Sequence, residues 1–90
     1  MQTPLEHFTT PQFWELYNAL PGEVQARADK SFLLLRSEPG HPSLHFKKIG
    51  KLWSVRVGLR YRALGVAYPS RKNVILWFWI GSHADYDGMV

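Results

Sequence analysis

NVILWFWIGSHADYDGMV, residues 73–90, decides how the chain is read. From Val74 to Ile80 every side chain is apolar, and most are β-branched or aromatic. Such a run reads as a strand buried on both faces. Gly81–Ser82 reads as a turn, and His83, Asp85, Tyr86 and Asp87 follow at once. A central strand that ends on a His and a Tyr holds ionisable groups at the lip of a rigid sheet, a place suited to chemistry.

Upstream of this strand the pattern alternates. Leu44–Ile49, Leu52–Gly58 and Arg60–Tyr68 read as three strands, separated by Gly50–Lys51 and Gly58–Leu59, with Pro69–Lys72 closing the hairpin to the last strand. In the second of these, Trp53, Val55 and Val57 face one way and Ser54 and Arg56 the other. Short polar turns between consecutive strands predict an antiparallel meander. Ser37–Ser43, dense in Ser, Pro and Gly, is a loop.

Before that loop the period is helical. Thr10–Pro11 is a helix start, because Thr caps free N–H groups and Pro fits the first helical position. Phe13, Leu16, Tyr17 and Leu20 then form one apolar face. Pro21–Gly22 breaks this helix, and a second over residues 21–36 carries Val24, Ala28, Phe32 and Leu35 as its stripe. Residues 1–9 read as an extended lead-in. The expected architecture is α+β, a helix hairpin packed on a small antiparallel sheet.

Ninety residues suit one domain, and four Trp, four Tyr and five Phe can fill its core. The absence of Cys excludes disulfides and Cys-ligated zinc, and fits a reducing cytoplasm. MQTPLEHF has no apolar signal region, and no run approaches the roughly 20 residues of a membrane span. Net charge is +4. No Asp or Glu occurs from Pro39 to Ala84, whereas Lys47, Lys48, Lys51, Arg56, Arg60, Arg62, Arg71 and Lys72 all do. A single-sign block with interleaved aromatics fits a polyanion or an acidic protein partner; the plainer alternative is a solvated basic sheet face.

Arg56, Arg60 and Arg62 lie on adjacent strands, and at least two should share one face, where planar guanidinium groups suit phosphate. Alternation allows only one of Lys47 and Lys48 to join them. His83 can take and give a proton near neutrality. An acid–base on a basic surface is what RNA cleavage by 2′-OH attack requires. Alternatively His83 is a turn residue that bonds locally or meets Asp85 or Asp87. His41 and His45 are spaced i, i+4, but Pro42 argues against a helical metal pair. No metal or cofactor is expected. Trp77 and Trp79 read as core.

The order of these motifs is similar to the RelE/ParE superfamily of small toxins from bacterial toxin–antitoxin pairs. The run WSVRVGLRYRAL resembles that superfamily's basic strand, turn and Tyr-Arg pair, and GSHADYD resembles the Gly-x-His ending of its YafQ-like branch. The resemblance implies a toxin neutralised by a cognate antitoxin, and in the RelE, YafQ and HigB branches a ribosome-dependent mRNA endonuclease. By position it implies Arg56 on the scissile phosphate, Arg62 as the Arg of the Tyr-Arg pair, His83 as the catalytic His and Tyr86 near a functional C-terminal aromatic. Lys47, Lys48 and Arg60 would add substrate contacts. Ser54 stands where RelE carries a strand lysine, and His83 where it carries an Arg after the final strand's Gly, which favours a His-assisted mechanism. In the ParE branch similar folds inhibit DNA gyrase without cleaving, so fold alone leaves both activities open.

Overall fold

The computed structural model describes residues 5–89. Two helices, α1 (Pro11–Asn18) and α2 (Gly22–Ser37), pack on a five-stranded sheet. Its strands are β1 (Glu6–Thr9), β2 (Lys47–Ile49), β3 (Leu52–Val57), β4 (Tyr61–Ala67) and β5 (Val74–Ser82), in the order β1-β5-β4-β3-β2. A short α3 (His83–Met89) ends the described chain. The α+β class and the helix hairpin are as expected. Among the described residues no helix is long and apolar enough to cross a membrane.

Thr10 caps α1 as its sequence predicts, its Oγ1 accepting from Phe13 N–H at 3.1 Å. The core lies between the helices and one sheet face, where Leu35 of α2 meets Val55, Val57, Ala63, Ile75, Trp77 and Ile80. Phe32 departs from the expected stripe: it is 42% exposed, at the outer edge of the helix pair. A 3₁₀ turn at Pro42–Leu44 buries Leu44 in the same core, so the strand expected from Leu44 begins only at Lys47.

Three further differences position the functional face. Residues 6–9 are not a free lead-in but strand β1, paired in parallel with β5 from Glu6 opposite Val74 to Thr9 opposite Trp77. The sheet is therefore mixed, although β2 to β5 form the expected antiparallel meander. Residues 1–4 of the lead-in lie outside the described residues. Arg60 belongs to the turn before β4 rather than to the strand.

The chain also does not turn at Gly81–Ser82. Strand β5 runs through both residues, with Gly81 opposite Arg62 and Ser82 opposite Tyr61. The change of direction comes one residue later, where α3 begins. His83 N–H donates to Arg60 C=O at 2.6 Å, and Ser82 Oγ accepts from Asp85 N–H at 3.1 Å. Ser82 thus caps α3, and the His83 N–H ties the helix start to the β3–β4 turn.

Strand β5 is buried on both sides, but its faces do not simply alternate. The register shifts between Leu64 and Gly65, so that Leu64 pairs with Trp79 and Gly65 with Trp77. Phe78 is the extra residue of this bulge, and Trp77 and Ile80 come to the same, helix-facing side. Leu64, fully buried, and Ser54, 1% exposed, lie on the other side. The face opposite the hairpin is therefore covered in part rather than open to solvent.

Candidate functional site

On the face turned away from α1 and α2, Arg56 of β3 and Arg62 of β4 are direct cross-strand partners. Paired residues of antiparallel strands project to the same face. Lys47 pairs with Ser54, two residues from Arg56, and so shares that face, whereas Lys48 pairs with Trp53 and lies on the helix side. Lys48 Nζ stands 6.0 Å from the Trp53 ring centroid. Of the two lysines, Lys47 is thus the one that extends the arginine row. Arg60 is exposed in its turn and lends the site its carbonyl.

Like charges placed directly opposite on a sheet repel. Burial and the neighbouring Arg56 both lower the pKa of Arg62, while Tyr86 and Asp87 counter them. Arg62 Nη1 donates to Tyr61 C=O at 2.9 Å, and its guanidinium lies 6.0 Å from the Tyr86 ring centroid. Arg56 Nη1 lies 3.2 Å from His45 Nε2, and its buried Nε has no partner. A guanidinium only donates, so His45 Nε2 must present its lone pair there. His45 reaches this place from a left-handed backbone, φ 44°. Beside Arg62, Gly81 leaves no side chain, and a Cβ there would lie 2.5 Å from the Trp79 indole, which occupies that space.

Helix α3 lies against this face. Tyr86 is buried, and its ring meets the His83 ring edge to face at 5.9 Å. His83 Nε2 lies 3.2 Å from Asp87 Oδ1, one helical turn on. Of the two ring nitrogens Nε2 is the one beside the carboxylate, and a hydrogen there leaves Nδ1 to a ligand. The contacts Arg56–His45, Arg62–Tyr86, Tyr86–His83 and His83–Asp87, with the Arg56–Arg62 strand pair, thus join residues from four parts of the chain at one surface. The side chains of His83 and Asp87 are 42% and 64% exposed, so the imidazole is open to a ligand.

Two members of this set hold places that their sequence positions did not assign to them. Asp87, expected only as one possible contact of His83, meets its ring; the signal was the i, i+4 spacing, which carries meaning only on a helix. His45 is placed by its αL backbone, for which the sequence holds no local mark. Tyr86 is a buried spacer between Arg62 and His83, with its ring making both contacts. Among the described residues no three His, Cys, Asp or Glu are grouped so as to hold a metal ion.

No protein-family model and no curated protein matches the chain. Solved structures do. A RelB–RelE antitoxin–toxin complex from Methanococcus jannaschii matches with a TM-score of 0.67 at 17% identity, over 92% of this chain and 99% of that one. An archaeal RelE–RelB complex from Pyrococcus horikoshii matches with a TM-score of 0.62 at 20% identity, over 89% and 96%. YafQ from E. coli matches with a TM-score of 0.65 at 10% identity, over 91% and 97%. At such identities the likeness is one of fold, and it spans nearly the whole of both chains: this protein has the RelE-like toxin fold.

Proposed function

We propose that this chain is the toxin of a type II toxin–antitoxin pair, and that it acts in the cytoplasm as a ribosome-dependent mRNA endonuclease held in check by a cognate antitoxin. The fold likeness to RelE and YafQ toxins supports the first part, since several of those structures are complexes of a toxin with its antitoxin. The observation that carries the second is the cross-strand pair Arg56–Arg62 with the His83 imidazole set beside it through Tyr86. Two opposed guanidinium groups, with no acid on either strand, suit a bound phosphate.

In the reaction, Nδ1 of His83 takes the proton of a 2′-OH. The 2′ oxygen then forms its bond to phosphorus while the bond from phosphorus to the 5′ oxygen breaks. Arg56 and Arg62 meet the charge that builds on the phosphoryl oxygens. Asp87 holds the imidazolium formed at His83 by its Nε2–H. A proton from solvent reaches the leaving 5′ oxygen, and the products are a 2′,3′-cyclic phosphate and a free 5′-OH. Lys47 lies where it can extend contact along the backbone.

The test is in vitro translation with mapping of mRNA ends, comparing wild type with His83→Ala. Cleavage within translated mRNA, lost in His83→Ala, is expected. Intact mRNA would overturn the nuclease reading, and a gyrase supercoiling assay would then examine the ParE-like alternative. Cleavage at the wild-type rate by His83→Ala would remove His83 from the mechanism.

A further inference from the structure

A cavity of about 130 Å³ opens between α1, α2 and the helix-facing side of the sheet. Its floor is Val55, Val57, Ala63, Trp77 and Ile80. Trp14 and Phe32, 47% and 42% exposed, also line it, leaving it open at the outer edge of the hairpin. Most polar groups around it are already paired. Tyr17 Oη donates to Asp29 at 2.7 Å, and Trp14 Nε1 donates to Thr9 Oγ1 at 2.7 Å.

His7 is the exception. Trp77 Nε1–H donates to His7 Nδ1 at 3.0 Å. Indole nitrogen only donates, so Nδ1 must be the unprotonated nitrogen and Nε2 carries the hydrogen. Nε2 is buried and has no partner. Of the side chains that line the cavity, only His7 holds a buried polar atom without a partner, among the described residues.

We propose that this cavity is a binding site for one neutral phenol-type ring, whose hydroxyl oxygen accepts the Nε2–H of His7. The volume selects the size, since an apolar cavity of about 150 Å³ takes benzene. An apolar ring fits better than water, because the floor is apolar and His7 Nε2 is the one buried polar atom of the lining side chains without a partner, among the described residues. An anion fits poorly too, because Asp29 lines the wall and His7 is neutral there. The ring can come from a free small molecule or from a tyrosyl side chain of a partner, and the chemistry is the same. The site lies on the sheet face away from Arg56 and His83, so it stands apart from the nuclease reading.

The experiment titrates p-cresol into the ¹⁵N,¹³C-labelled chain and follows the Trp77 indole N–H and the methyl groups of Val55, Val57 and Ile80. Saturable shifts at these groups are expected, with a Kd on the order of 1 mM. Toluene, which cannot accept the hydrogen bond, should bind about 2- to 10-fold more weakly. Ala28→Leu and Ser31→Leu each fill the cavity from α2 and should abolish binding. Absence of saturable shifts, equal affinity for toluene, or unchanged binding in both filled variants would overturn the proposal. N-acetyl-tyrosinamide separates the sources: binding equal to p-cresol supports a partner's side chain, and binding of p-cresol alone supports a free small phenol.

Discussion

Two histidines show how a single polar neighbour assigns a role. At His83 the Asp87 carboxylate stands beside Nε2 and leaves Nδ1 to a ligand. The pair is largely exposed, so its contribution to stability is small, and its use is orientation. Asp87→Ala should therefore leave thermal stability nearly unchanged and lower the cleavage rate by about 10-fold or more, with little change in RNA affinity. Single-turnover cleavage and an RNA-binding titration separate the two; equal losses in rate and affinity would exclude a positioning role. At His7 the donor is Trp77, and the effect falls on stability. Burial first, and Arg36 second, lower the pKa of His7 below its ordinary 6.5. The unfolded chain thus takes up the proton before the folded one does. The stabilisation is whole above pH 6.5 and is lost as pH falls toward the folded value, with a slope of at most about 1.4 kcal/mol per pH unit. Urea unfolding at pH 7 and 5.5 should show this loss in the wild type and a smaller one in His7→Gln, whose amide oxygen can still accept from Trp77. An identical pH dependence in both would mean that His7 titrates alike in the two states.

At the scale of elements, the bulge in β5 decides where the largest side chains go. Gly65 sits at it, and a Cβ there would lie 2.7 Å from Ile75 Cγ2, 2.9 Å from Trp77 Cε3 and 3.1 Å from the Leu76 carbonyl oxygen. None of these is the loose end of a flexible side chain. Gly65→Ala should cost about 1–3 kcal/mol, which lowers Tm by at least about 4 °C in a chain of this size; a Tm equal to the wild type would show that the strand pair yields there. The same bulge marks a limit of the sequence. The apolar run 74–80 announced a buried strand, and the helix stripes and the Thr10 cap were legible from their periods. Which of Trp77, Phe78 and Trp79 faces the helices was not, because a bulge depends on the partner strand. Strand β1 was equally hidden: EHFT is too short for a period, and its parallel partner is nearly seventy residues away. Helix α3 did carry a signal. Ser82 precedes His83 as a capping residue, with an acid in the first turn, but the glycine before it suggested a turn. Of the site, Arg56, Arg62 and His83 were visible as residue types with phosphate-binding and acid–base chemistry, and the resemblance narrowed these to a scissile phosphate and a catalytic His. Asp87 was visible only as one possible contact of His83.

Over the whole molecule the charges are divided by position in the chain, and the fold turns that division into a surface. Residues 39–84 hold no acid, and they supply β2, β3, β4 and β5. The acids Asp85 and Asp87 follow at once, on the helix that lies against the arginine row, where Asp87 meets His83 and favours charged Arg62. A polyanion that binds there must release counterions in proportion to the cations it meets. For single-stranded RNA the logarithm of affinity falls with that of salt by about 0.7 per phosphate neutralised. Contacts from Lys47, Arg56 and Arg62 predict a slope of about −2. Arg56→Ala should bring it to about −1.4, and should cost about 2–4 kcal/mol in the cleavage transition state if the lost charge faces the phosphoryl oxygens. Lys48→Ala provides the contrast, because Lys48 lies on the helix side over Trp53. Its salt slope should match the wild type. A slope that falls equally for Lys48→Ala and Arg56→Ala would mean that RNA is held by the diffuse positive field of the chain, and that the row at Arg56 and Arg62 is not where it binds.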